Sequence, residues 1–252
     1  MSFLIAIPSY RRPQWKTLQF LKEHGVPLRR VHLFLHTPEE RELYLKEQEE
    51  ARHVTCHVTR AEGIHGQRSY IMHVLRNYDH VQLDDDVVCI KKFVHEKMET
   101  VDTNFLEAME ECFNIARENN AVVFGPPAYQ NLLFIRNNIL GNGMVQLNRY
   151  CGRSLIGIRK FECKLTHAYG EDHEIFLSAL KAGKTTIRIN KYIINSGHFE
   201  SEGGLGDWKT KDVWHVYRSL AEHFKDQLKV FKYRRLSKTL KETVECHGQV
   251  QS

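Results

Sequence analysis

Three carboxylates stand side by side in Leu83-Asp84-Asp85-Asp86-Val87, directly after the apolar run His80-Val81-Gln82-Leu83. Like charges packed this closely repel one another, and the arrangement is unfavourable unless a cation or a set of donors answers it. Carboxylate oxygens are hard ligands that select Mg²⁺, Mn²⁺ or Ca²⁺ over softer metals, and an ion held there could bridge the two phosphates of a nucleotide. A second acidic group, Tyr169-Gly170-Glu171-Asp172-His173-Glu174, opens a helical stretch. Both groups have a plainer reading, the first as solvated turn acids and the second as caps that answer a helix dipole.

The elements that must position these acids are legible as an alternation of apolar, β-branched segments with amphipathic helical ones, the pattern of a sheet with helices on its faces. Residues 3–7 read as a first strand closed by Pro8, residues 14–23 as a helix with Pro13 ahead of it, residues 31–35 as a second strand, 38–51 as a charged surface helix and 54–58 as a third strand. These βα steps predict a Rossmann-like half. A helix over 66–77 carries Ile71, Val74, Leu75 and Tyr78 on one stripe and delivers the chain into a fourth strand, 80–83, at whose carboxyl end the acid triplet falls. Open α/β sheets bind ligands at that end.

Asn104 with Glu107 three residues on has the form of a capping box, followed by an apolar face of Phe105, Met109, Cys112, Phe113 and Ala116. A strand follows at 121–124. Residues 131–158 read as a β-rich excursion with Gly141-Asn142-Gly143 as its turn, 172–180 as a short helix stopped by Gly183, and 185–194 as one further strand. The glycine-rich stretch 196–207 reads as a loop. From Lys211 a long helix is expected, with Val213, Tyr217, Leu220, Phe224, Leu228 and Phe231 on one stripe.

The chain has 252 residues, 42% hydrophobic and 27% charged, which is ordinary globular composition. No apolar run approaches the roughly 20 residues needed to cross a bilayer, so integral membrane association is not expected. The first residues read as a strand and not as a signal peptide. Six scattered cysteines without a C-x-x-C pair favour reduced thiols and a cytoplasmic location. A net charge of +5 is compatible with a polyanionic partner. With no internal repeat and no linker, the expectation is an α/β domain over 1–210 and, over 211–252, a basic amphipathic helical extension packed on it.

In the order of these landmarks the sequence resembles the GT-A glycosyltransferases. Asp84-x-Asp86 matches that family's D-x-D motif, whose carboxylates hold a divalent metal against the donor diphosphate, and Glu171-Asp172 matches its E-D motif, whose acid faces the acceptor. Ile7-Pro8-Ser9-Tyr10-Arg11-Arg12-Pro13 looks like its first strand and nucleotide-base loop, and Gly66-Gln67-Arg68 like the segment whose arginine touches the donor. His198 sits where many members place a third metal ligand. The resemblance spans roughly residues 3–200. It implies a GT-A fold, a mixed sheet flanked by helices, with Mn²⁺ or Mg²⁺ as cofactor and a nucleotide diphosphate sugar, a UDP-sugar being favoured, as donor. Metal ligands would be Asp84, Asp86 and His198. Donor contacts would come from Pro8, Ser9, Tyr10, Arg11, Arg12, Arg68, Asp84, Asp85 and Trp208.

The compact length, the I-P-S-Y-R-R opening and the D-D-D form are also similar to small glycosyltransferases of bacterial viruses that act on hydroxymethylated DNA bases, a group related to the base J glucosyltransferase. That implies an acceptor hydroxymethyl group on a pyrimidine such as 5-hydroxymethylcytosine in DNA, within the host cytoplasm. Lys225, Lys229, Lys232, Arg234 and Arg235 would meet the phosphate backbone. Asp172, with Glu171 second, would take the acceptor proton, and the anomeric centre would invert. The loop Gly203-Gly204-Leu205-Gly206 with Trp208 would close over the donor. The competing expectations are a glycosyltransferase acting on a cell-surface glycan or lipid carrier, a nucleotidyltransferase, and a non-catalytic DNA-binding protein.

Overall fold

The computed structural model describes residues 3–94, 96–128, 131–149, 151–152, 154–196 and 213–230. The chain runs β1 (Leu4–Pro8), α1 (Lys16–Glu23), β2 (Val31–Leu35), α2 (Pro38–Glu47), β3 (Thr55–Val58), α3 (Gly63–Val74) and β4 (Asp79–Leu83). It continues through β5 (Val87–Val94), β6 (Glu99–Asp102), α4 (Phe105–Glu118), β7 (Ala121–Gly125), α5 (Leu132–Asn142), β8 (Val145–Leu147) and β9 (Leu155–Arg159). The remaining elements are α6 (Glu171–Lys181), β10 (Thr185–Ile189), β11 (Tyr192–Ser196), α7 (Val213–His223) and α8 (Lys225–Val230).

The fold is α/β. Its central sheet has eight strands in the order β3-β2-β1-β4-β9-β7-β10-β8. β3, β2, β1 and β4 pair in parallel, as do β7 and β10, while β9 runs antiparallel to both β4 and β7, and β8 antiparallel to β10. A three-stranded antiparallel sheet, β11-β5-β6, stands beside it. β1 is apolar on both faces because helices cover both. Ile5 and Ile7 enter the main core with Leu18, Leu21, Phe105 and Phe113, whereas Ala6 meets Ile71 of α3 and Leu75, which caps that helix, on the other side. α6 lies on the α3 side against β9 and β7, through Ile175 and Ala179 with Ile156, Ile158 and Val123. Its outer face, Phe176, Leu177 and Leu180, is covered in turn by Leu220, Ala221, Phe224 and Leu228.

Five segments depart from the sequence expectation. The stretch read as a β-rich excursion begins with a helix, α5: the Asn131 side chain caps it by accepting the N–H of Leu133 and Phe134, and Ile135 and Ile139, one turn apart, bury against Phe93 and Ile193. Gly143, at φ +85, is therefore a helix stop and not a hairpin turn. The single strand expected over 185–194 is broken at Asn190-Lys191, so that β10 belongs to the central sheet and β11 to the small one. The hairpin β5–β6 had no counterpart in the sequence reading. The long helix expected from Lys211 is, within the described residues, two helices parted at Phe224, although Leu220, Phe224 and Leu228 share a buried face as the stripe requires. Tyr78 leaves the stripe assigned to it, because α3 ends at Val74 and the ring is 56% exposed.

Candidate active site

Strand order turns at β1. The chain steps outward to β2 and β3, then returns to place β4 on β1's other side, so the loops leaving β1 and β4 face each other across a crevice. The parallel register pairs Ala6 with Gln82, which brings Ser9 level with Asp85. Ser9 Oγ donates to Asp85 Oδ2 at 2.5 Å and lies 2.7 Å from Tyr44 Oη. Since the serine hydrogen goes to the carboxylate, the Tyr44 hydroxyl donates to Ser9, and its oxygen accepts the Arg12 N–H at 2.8 Å. Arg12 closes the ring, Nη1 meeting Asp85 Oδ1 at 2.7 Å and Asp86 Oδ2 at 4.0 Å. Donors aligned in one direction polarise one another, and this set ties the loop after β1 to the middle aspartate.

α2 secures the same loop. Glu40 accepts the N–H of Arg11 at 2.6 Å and of His36 at 2.8 Å. Arg11 is held at φ +54, a conformation that a non-glycine keeps only when its surroundings enforce it. Tyr10 is 42% exposed with the Arg11 guanidinium over its ring at 4.9 Å, so both side chains stand at the surface. Across the crevice, Thr17 Oγ1 donates to the Asp84 carbonyl at 2.6 Å and accepts the Val87 N–H at 2.8 Å, bracketing the triplet's backbone. Asp84 N donates to the Ser154 carbonyl at 3.1 Å, which adds β9's approach to the scaffold.

Arg68 joins the two acidic groups. From α3 its Nη2 meets Asp84 Oδ1 at 2.7 Å, Nη1 meets Gln82 Oε1 at 3.1 Å, and Nε lies 3.6 Å from Glu171 Oε1 at the start of α6. Arg68 is 2% exposed, so its guanidinium is spent beneath the crevice on the acids and not presented at the surface. Gly152, at φ +137, leaves room for Asp172: a Cβ there would stand 3.3 Å from the Asp172 Cβ. Burial pushes the Asp84 carboxyl up to about 6; Arg68 opposes the shift and Asp86, Asp85 and Asp172 add to it. Burial, then Asp85, raises Asp86, with Arg12 opposing. Glu171 is raised well above the usual carboxylate range by burial and then by Asp172, Arg68 again opposing.

A cloud of negative charge that two arginines only partly answer suits a hard cation. Asp86 Oδ1 is the specific fit, being buried with no hydrogen-bond donor among the described residues. Asp84 and Asp85 already have protein partners, and among the described residues no group of three His, Cys, Asp or Glu is gathered closely enough to hold an ion alone. β11 ends at Ser196, which pairs with Val87 and whose Oγ is 2.8 Å from Ser154 Oγ, so this end of β11 lies beside the triplet.

The structure thus gathers Pro8, Ser9, Arg12, Arg68, Asp84, Asp85, Asp86, Glu171 and Asp172 at one end of the sheet. Lys225 is exposed on α8, remote in the chain from these acids, and Lys229 shares that helix, its side chain lying outside the described atoms. His198, Trp208, Lys232, Arg234 and Arg235 lie outside the described residues. The sequence reading did not find Tyr44, Glu40, Thr17, Ser154 or His173. Glu40 and Tyr44 lie one helical turn apart, the only trace in the sequence that they serve one face.

No protein-family model and no curated protein sequence matches the chain. A solved structure from Desulfovibrio desulfuricans G20, provisionally described as a nucleotide-diphospho-sugar transferase, overlays with a TM-score of 0.40 and 13% identity, covering 75% of this chain and 80% of that one. A likeness of that size says nothing about substrate.

Proposed function

We propose that this chain is a metal-dependent GT-A glycosyltransferase that moves a sugar from a nucleotide diphosphate, UDP being favoured, onto an acceptor hydroxyl with inversion. The observation that carries this reading is the meeting of two acidic groups, distant in sequence, around buried Arg68 at the sheet's switch point. One group suits the donor end of a transfer and the other the acceptor end.

Asp86, with Asp84 and with His198 from the undescribed segment after β11, would hold Mn²⁺ or Mg²⁺. Bound there, the ion supplies Lewis-acid stabilisation of the charge that develops on the departing diphosphate. Arg12 and Arg11 stand at the lip of the crevice, where a guanidinium fork suits phosphate oxygens, and Tyr10 offers an exposed ring. Arg68 keeps Asp84 and Glu171 tolerable side by side. Asp172 takes the acceptor proton as the hydroxyl oxygen bonds the anomeric carbon and the leaving oxygen departs with its electron pair. Trp208 and the glycines before it would exclude water. The favoured acceptor is a hydroxymethylated pyrimidine in DNA, with Lys225, Lys229, Lys232, Arg234 and Arg235 on the backbone.

The test is nucleoside diphosphate release from a panel of nucleotide sugars with Mn²⁺ or Mg²⁺, with and without hydroxymethylcytosine DNA. Asp86→Asn is expected to lower metal-stimulated release by roughly a hundredfold, the order of an electrostatic contact to developing charge, without changing the melting temperature of the metal-free protein. Full metal-stimulated release by this variant removes the metal assignment. Pyrophosphate as product points instead to nucleotidyl transfer, and indifference to hydroxymethylated DNA to a glycan or lipid acceptor.

A further inference from the structure

α6 starts at Gly170, whose φ of +75 admits the chain into the helix, and its first turn carries Glu171, Asp172 and Glu174. Asp172 Oδ1 accepts two bonds from the next residue, the His173 backbone N–H at 2.8 Å and the His173 ring Nδ1 at 2.8 Å. An ionised carboxylate only accepts, so Nδ1 carries the hydrogen and the tautomer is fixed. His173 is 8% exposed, and its ring meets the Tyr217 ring of α7 edge-on, centroids 5.9 Å apart at 84°. The same Tyr217 lies over Gly170, where a Cβ would approach Cε1 to 3.1 Å. α7 is held in this position by Leu220 and Phe224 against Phe176 and Leu180, and by Ser219 Oγ at 3.2 Å from His167 Nε2.

We propose that His173, braced by Tyr217, is the positioning residue for Asp172. Its Nδ1–H, together with the His173 backbone N–H, holds Oδ1 and so sets how the carboxylate faces the acceptor hydroxyl. α7 then acts on the reaction through His173 and Gly170, without itself touching substrate. The proposal rests on the reading of Asp172 as the base. It asks of His173 one directional hydrogen bond and a rotamer limited by an aromatic neighbour, as outer-shell partners of catalytic groups commonly supply.

The experiment compares His173→Asn, His173→Phe and His173→Ala with Asp172→Asn in the full chain, reading kcat and donor KM separately. Asparagine places its amide nitrogen where Nδ1 stands, whereas phenylalanine keeps the ring and loses the donor. The Ala and Phe variants are expected to lose about 10- to 100-fold in kcat with donor KM little changed, and the Asn variant to recover most of it. Parent-like turnover in His173→Phe, or an Asn variant as slow as Ala, overturns the positioning role while leaving the base reading intact. Parent-like turnover in Asp172→Asn overturns the base reading and the proposal with it. Nitrogen NMR of the unchanged chain gives a readout independent of variant folding: His173 is expected with hydrogen on Nδ1, and a tautomer protonated on Nε2 alone overturns the proposal.

Discussion

Glu171 and Asp84 keep their protons to higher pH in the folded chain than in the unfolded one, because burial and neighbouring acids penalise the charged form more than Arg68 relieves it. Between the two values the unfolded state binds fewer protons, so the contribution of these groups to stability is complete in acid and declines as pH rises toward neutrality. Glu171→Gln, which removes one of the charges, is therefore expected to stabilise the chain at about pH 8 with chelator present by on the order of 1 kcal/mol, seen as a higher melting temperature, and to leave the melting temperature nearly unchanged at about pH 4. Thermal unfolding at the two pH values checks the sign, and equal melting temperatures at pH 8 mean that Arg68 fully compensates. The acids themselves were legible from sequence because charge after an apolar run has few structural uses. Their supports were not: Tyr44 reaches Ser9 from α2 and Thr17 reaches the triplet from α1, pairings that exist only once the sheet has brought distant segments together. Arg68 was legible as a cation but not in its destination, since nothing in its neighbourhood of the sequence announces burial.

β9 is the element on which the central sheet reverses direction, and the residue just before it, Ser154, offers its carbonyl to the acid triplet. Gly157 in its middle lies against the Phe124 ring of β7, and a Cβ there would fall 2.0 Å from Phe124 Cζ. Phe124 is fully buried against Phe113, so the ring has little freedom to withdraw. Gly157→Ala is expected to destabilise by about 1–3 kcal/mol, the range for overpacked cores, and to weaken donor binding by disturbing the start of β9. Denaturant unfolding alongside donor titration separates the two effects. Elements with a single dominant period, such as β1, α1, β2 and α4, were readable because burial on one stripe or on both faces writes itself into the sequence. α5 was not, since its apolar residues lie nearly all round: Leu133, Phe134 and Leu140 are exposed while Ile135 and Ile139 are buried. The break between β10 and β11 was hidden for the opposite reason, two apolar strands being joined by only Asn190 and Lys191.

The molecule as a whole carries +5 while its candidate centre is built from carboxylates, so any affinity for a polyanion has to come from surface away from the crevice. Residues 231–252 hold five Lys or Arg and two Glu, and removing them lowers the net charge from +5 to +2. That truncation leaves the described cover on α6 in place, because Leu220, Ala221, Phe224 and Leu228 all precede it. A chain ending at residue 230 is therefore expected to melt normally and to release nucleoside diphosphate from donor in the absence of DNA at the parent rate. If DNA is the acceptor, its affinity for hydroxymethylated duplex should fall, and the slope of log affinity against log salt should shrink by about 0.9 for each phosphate that the shortened chain no longer neutralises. A chain ending at residue 212 is expected to behave differently, since Phe176, Leu177 and Leu180 lose their cover and Gly170 and His173 lose Tyr217. It should lose stability and donor-dependent turnover together. Unchanged DNA affinity and salt slope in the longer truncate would assign the basic residues to solubility and direct the search for the acceptor to the crevice lips.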